Sequence, residues 1–142
     1  GPYPDAATAA IDSVAELLDH EDNQIRGNAV GLLADIAQEH PEAIISHAEA
    51  IATGLTDSDE AVRINASKAL NRAGRADPNA IAAQRPQLIV ALNDPTATVR
   101  ANACTLIGNA HVSVPAEQLR ELRRDDPDER VRSQAAYALS RQ

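Results

Sequence analysis

Proline stands at positions 4, 41, 78 and 115, a spacing of 37 residues held three times, and such a fixed period restricts the chain to a repeated architecture. Written from its proline, the second unit is PEAIISHAEAIATGLTDSDEAVRINASKALNRAGRA and the third is PNAIAAQRPQLIVALNDPTATVRANACTLIGNAHVS; the two align without a gap. Val62-Arg63 returns as Val99-Arg100 and Val131-Arg132, with Ile25-Arg26 in the first unit, which keeps the register from Pro4 to Arg26. The fourth unit is five residues shorter, because Pro115 and Arg132 stand 17 apart where the other units have 22. The expected units are about 4–40, 41–77, 78–114 and 115–142 in one array over residues 3–142, and Gly1-Pro2 reads as a protease scar from expression.

Each unit reads as a pair of helices, A and B. A proline at a first helical position loses no internal hydrogen bond, so Pro41 and Pro78 mark starts of A helices. In the second unit Ile44, Ile45, Ala48, Ile51 and Leu55 form a stripe of 3.6-residue period. A turn rich in Asp, Ser, Pro and Thr follows, with Asp57, Asp94 and Asp126 six residues before the recurrent arginine. Helix B then repeats one apolar spacing: Ile25, Ala29, Leu32, Leu33 and Ile36; Val62, Ala66, Ala69, Leu70 and Ala73; Val99, Ala103, Leu106, Ile107 and Ala110; Val131, Ala135, Ala138 and Leu139. One pair cannot hide both apolar faces. Stacking on neighbours buries them, at about 1.5–3 kcal/mol per Leu, Ile or Val side chain.

The series Asp57, Val62-Arg63, Ala66, repeated as Asp94, Val99-Arg100, Ala103, resembles the HEAT repeat, and the likeness covers residues 4–142. The resemblance implies an all-α fold: a right-handed solenoid of about four antiparallel helix pairs with the B helices on the concave side. It also implies that Asp57/Arg63, Asp94/Arg100 and Asp126/Arg132 bond along the stack. In the first unit His20 occupies the aspartate slot, with Asp19 and Asp22 beside it, which marks either a shifted register or a capping repeat. Armadillo repeats also stack helices and bind extended peptides through an asparagine ladder. The position for that ladder here reads Asp35, Arg72, Asn109 and Arg141, which favours the HEAT pattern.

Composition narrows the chemistry. The core must be aliphatic, because Phe, Trp and Met are absent and Tyr3 and Tyr137 are the aromatic residues. Acidic residues number 21 against 13 basic, and of the basic ones only Lys68 is a lysine. This bias resembles proteins of salt-loving archaea, whose molar-salt cytosol shortens the Debye length to about 3 Å and leaves recognition to contact chemistry. A single cysteine, Cys104, excludes an internal disulfide and reads as a small buried filler. No apolar run reaches the ~20 residues of a membrane span and no signal peptide opens the chain, so the expected location is cytoplasmic.

Two residues after each recurrent arginine stands an amide: Asn28, Asn65, Asn102 and Gln134. Together with Lys68, Arg72 and Asn109 on the same flank of helix B, these define a polar groove as the candidate partner-binding surface. The amides have two readings, joining the units to one another or contacting a ligand. Charge is segregated, −12 over residues 1–62 and +4 over residues 63–142, so the arginine-rich end is a second candidate surface, for phosphates or an acidic partner. Within it Asp125, Asp126, Asp128 and Glu129 interleave with the arginines, which points to local neutralisation, and the opposite-sign ends also allow head-to-tail contacts or a longer solenoid.

Catalysis finds no support in the residues. His20-Glu21, His40-Glu42 and His47-Glu49 lack the i,i+4 spacing that joins two ligands on one helix face. Deoxyhypusine hydroxylases, a HEAT-repeat enzyme family, bind iron through His-Glu pairs that follow such an arginine; here Gly27-Asn28, Ile64-Asn65, Ala101-Asn102 and Ser133-Gln134 stand there instead. No phosphate loop or dinucleotide fingerprint is present, and Tyr137 is a single ring where single-strand binders use several. The expectation is a non-catalytic protein-interaction scaffold with no cofactor and no metal. A nucleic-acid-associated protein, by analogy with DNA-binding HEAT-like glycosylases, is the alternative, and a tetrapyrrole lyase or chaperone a weaker one.

Overall fold

The computed structural model describes residues 5–142; Gly1-Pro2, Tyr3 and the first recurrent proline, Pro4, lie outside them. The described residues form helices and turns throughout. Helix α1 (Asp5–Ala15) runs into a 3-10 turn, Glu16–Asp19, and is followed by α2 (Asn23–Glu39). The second pair is a 3-10 segment Pro41–His47, α3 (Ala48–Thr53) and a 3-10 turn Gly54–Thr56, then α4 (Glu60–Ala73). The third is α5 (Pro78–Ala82) and α6 (Arg85–Ala91), then α7 (Ala97–Asn109), and the fourth is α8 (Ala116–Asp125) and α9 (Glu129–Ser140). The B helices α2, α4, α7 and α9 pack side by side in chain order, and each A segment lies along the B helix of its own pair.

Local chemistry sets these boundaries. Asp22, Asp59 and Asp128 accept hydrogen bonds from the second and third backbone N–H groups of α2, α4 and α9, satisfying donors that have no partner inside the helix. Helix α7 ends with His111 in the left-handed region, φ 52°, and the Val112 N–H closes back on the Ile107 carbonyl at 2.9 Å. That closure is a Schellman turn built on histidine where glycine is usual.

The A layer departs from the simple helix expected of its apolar stripe. In the second and third pairs it breaks at equivalent positions, His47 (φ −105°, ψ 11°) and Gln84 (φ −98°, ψ 25°). Pro86 follows the second break, but its counterpart is Glu49, so proline accompanies the bend and does not cause it. In the fourth pair the five missing residues leave one unbroken ten-residue helix, α8.

One aliphatic core runs the length of the stack. Val62, Ala66, Ala69, Leu70 and Ala73 of α4 are all buried, as are Val99, Ala103, Leu106 and Ile107 of α7. Small residues let the helices approach: the Tyr137 ring of α9 lies over Gly108 of α7 so closely that a Cβ there would fall 2.5 Å from Cε2. Cys104 is buried, and loss of water pushes its thiol pKa up to about 12, leaving it an inert filler. The expected stripe fails in the first pair: Leu32 is 48% exposed, whereas Ala69, Leu106 and Ala138 at the same position are buried, because that position faces the preceding pair and α2 has none before it in the described residues. Leu70 is fully buried, and Leu70→Ala is expected to cost about 2–5 kcal/mol; an unchanged urea midpoint would refute the core register.

Candidate functional site

The recurrent arginines join the pairs through one repeated geometry. Arg26 Nε and Nη2 donate to the two Asp57 carboxylate oxygens at 2.8 and 3.0 Å. Arg100 does the same to Asp126 at 2.8 and 3.1 Å. Arg63 donates to Asp94 Oδ2 at 2.9 Å, with its Nη2 turned 3.5 Å from Thr96 Oγ1. The other edge of each guanidinium grips its own turn: Nη1 of Arg26, Arg63, Arg100 and Arg132 donates to the carbonyls of His20, Asp57, Asp94 and Asp126 at 2.8, 3.0, 2.9 and 2.7 Å. Thus Asp57/Arg63, Asp94/Arg100 and Asp126/Arg132 meet within a pair through the aspartate's backbone. The carboxylate of each aspartate belongs to the arginine of the preceding pair.

These carboxylates also order the turn. Asp57, Asp94 and Asp126 accept from the N–H two residues on, at 2.9, 2.8 and 2.9 Å. His20 Nδ1 accepts from the Asp22 N–H at 3.0 Å in the same way, so the histidine holds the aspartate slot without a shift of register. The rungs are shielded from solvent, with side-chain exposures of 15% and 13% for Arg26–Asp57, 13% and 5% for Arg63–Asp94 and 14% and 4% for Arg100–Asp126. The Arg26 hydrogen bond holds the Asp57 carboxyl below its usual pKa. For Asp126, burial acts in the opposite direction, but the Arg100 hydrogen bond, the Asp128 N–H and the Arg100 charge together bring the pKa down. Arg26, whose own unit offers histidine in place of aspartate, was absent from the candidate pairs; its alignment with the other three arginines was the available signal.

The amide row lies between adjacent B helices. Asn65 donates to the Gly27 carbonyl at 3.4 Å, Asn102 donates to Ser67 Oγ at 2.9 Å, and Gln134 accepts from Thr105 Oγ1 at 2.8 Å. Arg72 donates to the Ala34 carbonyl within α2 at 2.7 Å, and Arg75 donates to those of Ala37 and Gln38 at 2.9 and 3.1 Å, capping the C-terminal end of α2. Asn109 accepts from the Tyr137 hydroxyl at 2.5 Å. Asn28 and Lys68 are exposed and make no hydrogen bond or ion pair among the described residues. The row therefore divides into side chains that join pairs and side chains that face solvent.

Two clefts open between successive B helices. One, of about 430 Å3, is lined by Asn23, Gln24, Asn28 and Asn65 together with Gly27 and Asp59. The other, of about 230 Å3, lies at the C-terminal ends of α4 and α7 against Asn71, Arg75 and Asn109, and Asn71 Oδ1 in its wall is buried without a hydrogen-bond donor. No group of three His, Cys, Asp or Glu that could hold a metal occurs among the described residues. His47 instead bonds Asp12 at 2.8 Å, linking the A layers of the first two pairs.

Residues 85–142 match the family model described as HEAT repeats. Solved structures of three engineered proteins from the Northeast Structural Genomics Consortium share the fold. The first matches at 24% identity and a TM-score of 0.75, covering 93% of this chain and 62% of its own. The second matches at 24% and 0.79, covering 98% and 40%, and the third at 26% and 0.75, covering 92% and 62%. The chain thus spans between 40% and 62% of the length of these structures. No curated protein matches it in sequence.

The rungs make two outcomes measurable. Asp94→Ala leaves Arg63 and the Thr96 N–H without their acceptor, and its expected cost is about 3–5 kcal/mol, whereas Arg120→Ala on the exposed Glu117 pair should change stability by under ~0.5 kcal/mol. Equal urea midpoints for the two variants would show that the rungs carry no stability. Asp57 and Asp126 have folded pKa values below the unfolded value of about 3.9, so their contribution is complete above it and is lost as pH falls through the lower, folded values. Stability should decline below about pH 4, and Asp57→Asn, less stable at neutral pH, should decline less steeply.

Proposed function

We propose that this chain, a HEAT-like helical repeat protein, is a non-catalytic scaffold that receives a segment of another protein across the surface of its B helices. The observation that carries the reading is the pair of amide-lined clefts between successive B helices, one of them with the buried and undonated Asn71 Oδ1. Amides donate and accept at once, which suits the alternating N–H and C=O groups of an extended backbone. Asn28, Lys68 and Asn109 stand at the solvent side of this surface and would meet the partner directly. Asn65, Arg72, Asn102 and Gln134 would contribute through the positions they impose on the helices, since their polar groups are already engaged between pairs.

The nucleic-acid reading has less support. Of the arginines in the basic half, Arg85 donates to the Ser113 carbonyl, Arg120 pairs with Glu117, Arg124 with Asp125 and Arg130 with Asp128. The carboxylates beside Arg120, Arg124 and Arg130 lower the number of counterions this surface would release on meeting phosphates, although Arg85 keeps its charge. No helix among the described residues is long and apolar enough to cross a membrane. The acidic, lysine-poor composition supports a cytoplasmic setting of high salt, where hydrogen bonds and short contacts outlast charge steering.

Screening a library of extended peptides against the wild type, a double variant Asn28→Arg plus Lys68→Glu, and an outer-layer control Val90→Glu tests the proposal. Ligands held by wild type and control but weakened at least tenfold by the double variant are the expected result, with little change as salt rises. Equal affinity for all three proteins would remove the B-helix surface from consideration. Steep loss of affinity with salt, accompanied by nucleic acid in the bound fraction, would favour the alternative.

A further inference from the structure

Among the junctions between successive B helices, the one between α4 and α7, with a helix pair on either side of it, is the least tightly made. Helices α4 and α7 are less closely packed on each other than α2 on α4 or α7 on α9. Their rung is also the weakest in form: Arg63 places a single donor on Asp94, where Arg26 and Arg100 each place two on an aspartate. The cleft of about 230 Å3 opens at this junction, with Ile81, Leu106 and Ala110 as its apolar walls and the carboxamides of Asn71 and Asn109 as its polar ones. Neither carboxamide is fully engaged. Asn71 Oδ1 is buried without a donor, Asn71 Nδ2 has no acceptor among the described residues, and Asn109 uses only its Oδ1, on the Tyr137 hydroxyl. No amide oxygen of the cleft between α2 and α4 is left buried in this way.

We infer that the cleft between α4 and α7 is the anchor point of the partner segment and takes the side chain of a glutamine, an inference that rests on the B-helix surface being the partner's seat. A carboxamide meets both halves of Asn71 at once, its N–H donating to Oδ1 while its oxygen accepts from Nδ2, and that oxygen's second lone pair suits Asn109 Nδ2. The two methylenes of glutamine cover Ile81, Leu106 and Ala110, a reach that asparagine lacks. Charged side chains fit less well. A lysine ammonium meets the exposed Arg75 guanidinium at the edge of the cleft, and a glutamate carboxylate, which only accepts, leaves Asn71 Oδ1 without its donor. Asn71 Oδ1 is reached as α4 and α7 part, and the single-donor rung and looser packing make this the junction that gives way.

Titration of the full chain with N-acetyl-glutamine N-methylamide, followed by two-dimensional proton–nitrogen NMR, tests this. The side-chain NH2 signals of Asn71 and Asn109 and the backbone signals of Gly74 and Ala110 should shift together and saturate. The correspondingly blocked glutamate, lysine and methionine should bind at least tenfold more weakly. Asn71→Leu should abolish the preference for glutamine over methionine, and Asn109→Leu, at an exposed position that the fold tolerates, should reduce it. Absence of saturable shifts with blocked glutamine overturns the inference, as does equal binding of glutamine and methionine by the wild type or a preference that survives the substitutions. The double variant Asn28→Arg plus Lys68→Glu should bind blocked glutamine as the wild type does, because neither residue lines this cleft. Peptides that are bound and lost in that variant, without any response to blocked glutamine, would sink this inference alone; blocked glutamine bound where no peptide is would sink the scaffold reading alone.

Discussion

A guanidinium has two usable edges, and in this fold they answer to different helix pairs. One edge of Arg26, Arg63 or Arg100 closes on carbonyls of its own interhelical turn, and the other reaches the carboxylate of the next. Aliphatic contact supplies most of the driving force for stacking but is nearly indifferent to rotation and sliding. With a core of Ala, Val, Leu and Ile and scarcely an aromatic ring, this chain has few shapes that would lock one pair over another. The planar, permanently charged fork supplies what the core lacks, because the two parallel donors of Arg26 and of Arg100 hold a carboxylate in one orientation only. The amide contacts and the close seat of Tyr137 over Gly108 lie between the same B helices that these forks join.

The amides serve that same frame. An arginine at C-terminal helix carbonyls, an asparagine on a glycine carbonyl and a glutamine on a threonine are polar contacts placed where two B helices leave room between them. They add a second donor or acceptor to groups that lie where two B helices meet. The clefts between the helices are the space these contacts do not fill. A partner's backbone would be the next hydrogen-bonding group in a series the protein has already begun.

Much of the fold was legible from spacing alone. The 37-residue period, the apolar stripes of helix B and the aspartate six residues before each arginine led to an all-α stack of helix pairs, and the HEAT-repeat match over residues 85–142 and the shared fold of the engineered proteins agree. The bend in the A layer was hidden because an apolar stripe reports which side is buried and not whether the backbone is continuous; only the conformations of His47 and Gln84 reveal it. Leu32 matched the core stripe in sequence yet lies exposed, since burial at its position depends on a neighbour outside its own pair. The rungs connect residues whose proximity follows from stacking, so periodicity could align Arg26 with Arg63 but could not say which carboxylate each would hold. For the groove, residue type identified the amides, while their division between Asn28 at the surface and Asn102 on Ser67 depends on helix separation.

Arg26 and Asp57 are 31 residues apart in the chain, as are Arg63 and Asp94, while Arg100 and Asp126 are 26 apart; all three pairs nevertheless meet at 2.8–2.9 Å. The rung runs from the start of one B helix to the turn before the next, and the A layer merely has to bridge that gap. Residues can therefore be lost from the first half of a unit, as five were before α8, without disturbing the stack. The rungs leave length variation to the A layer. The B-helix layer keeps its spacing whatever the length of the A layer, so such an array can change the contour of one face while presenting the other unaltered.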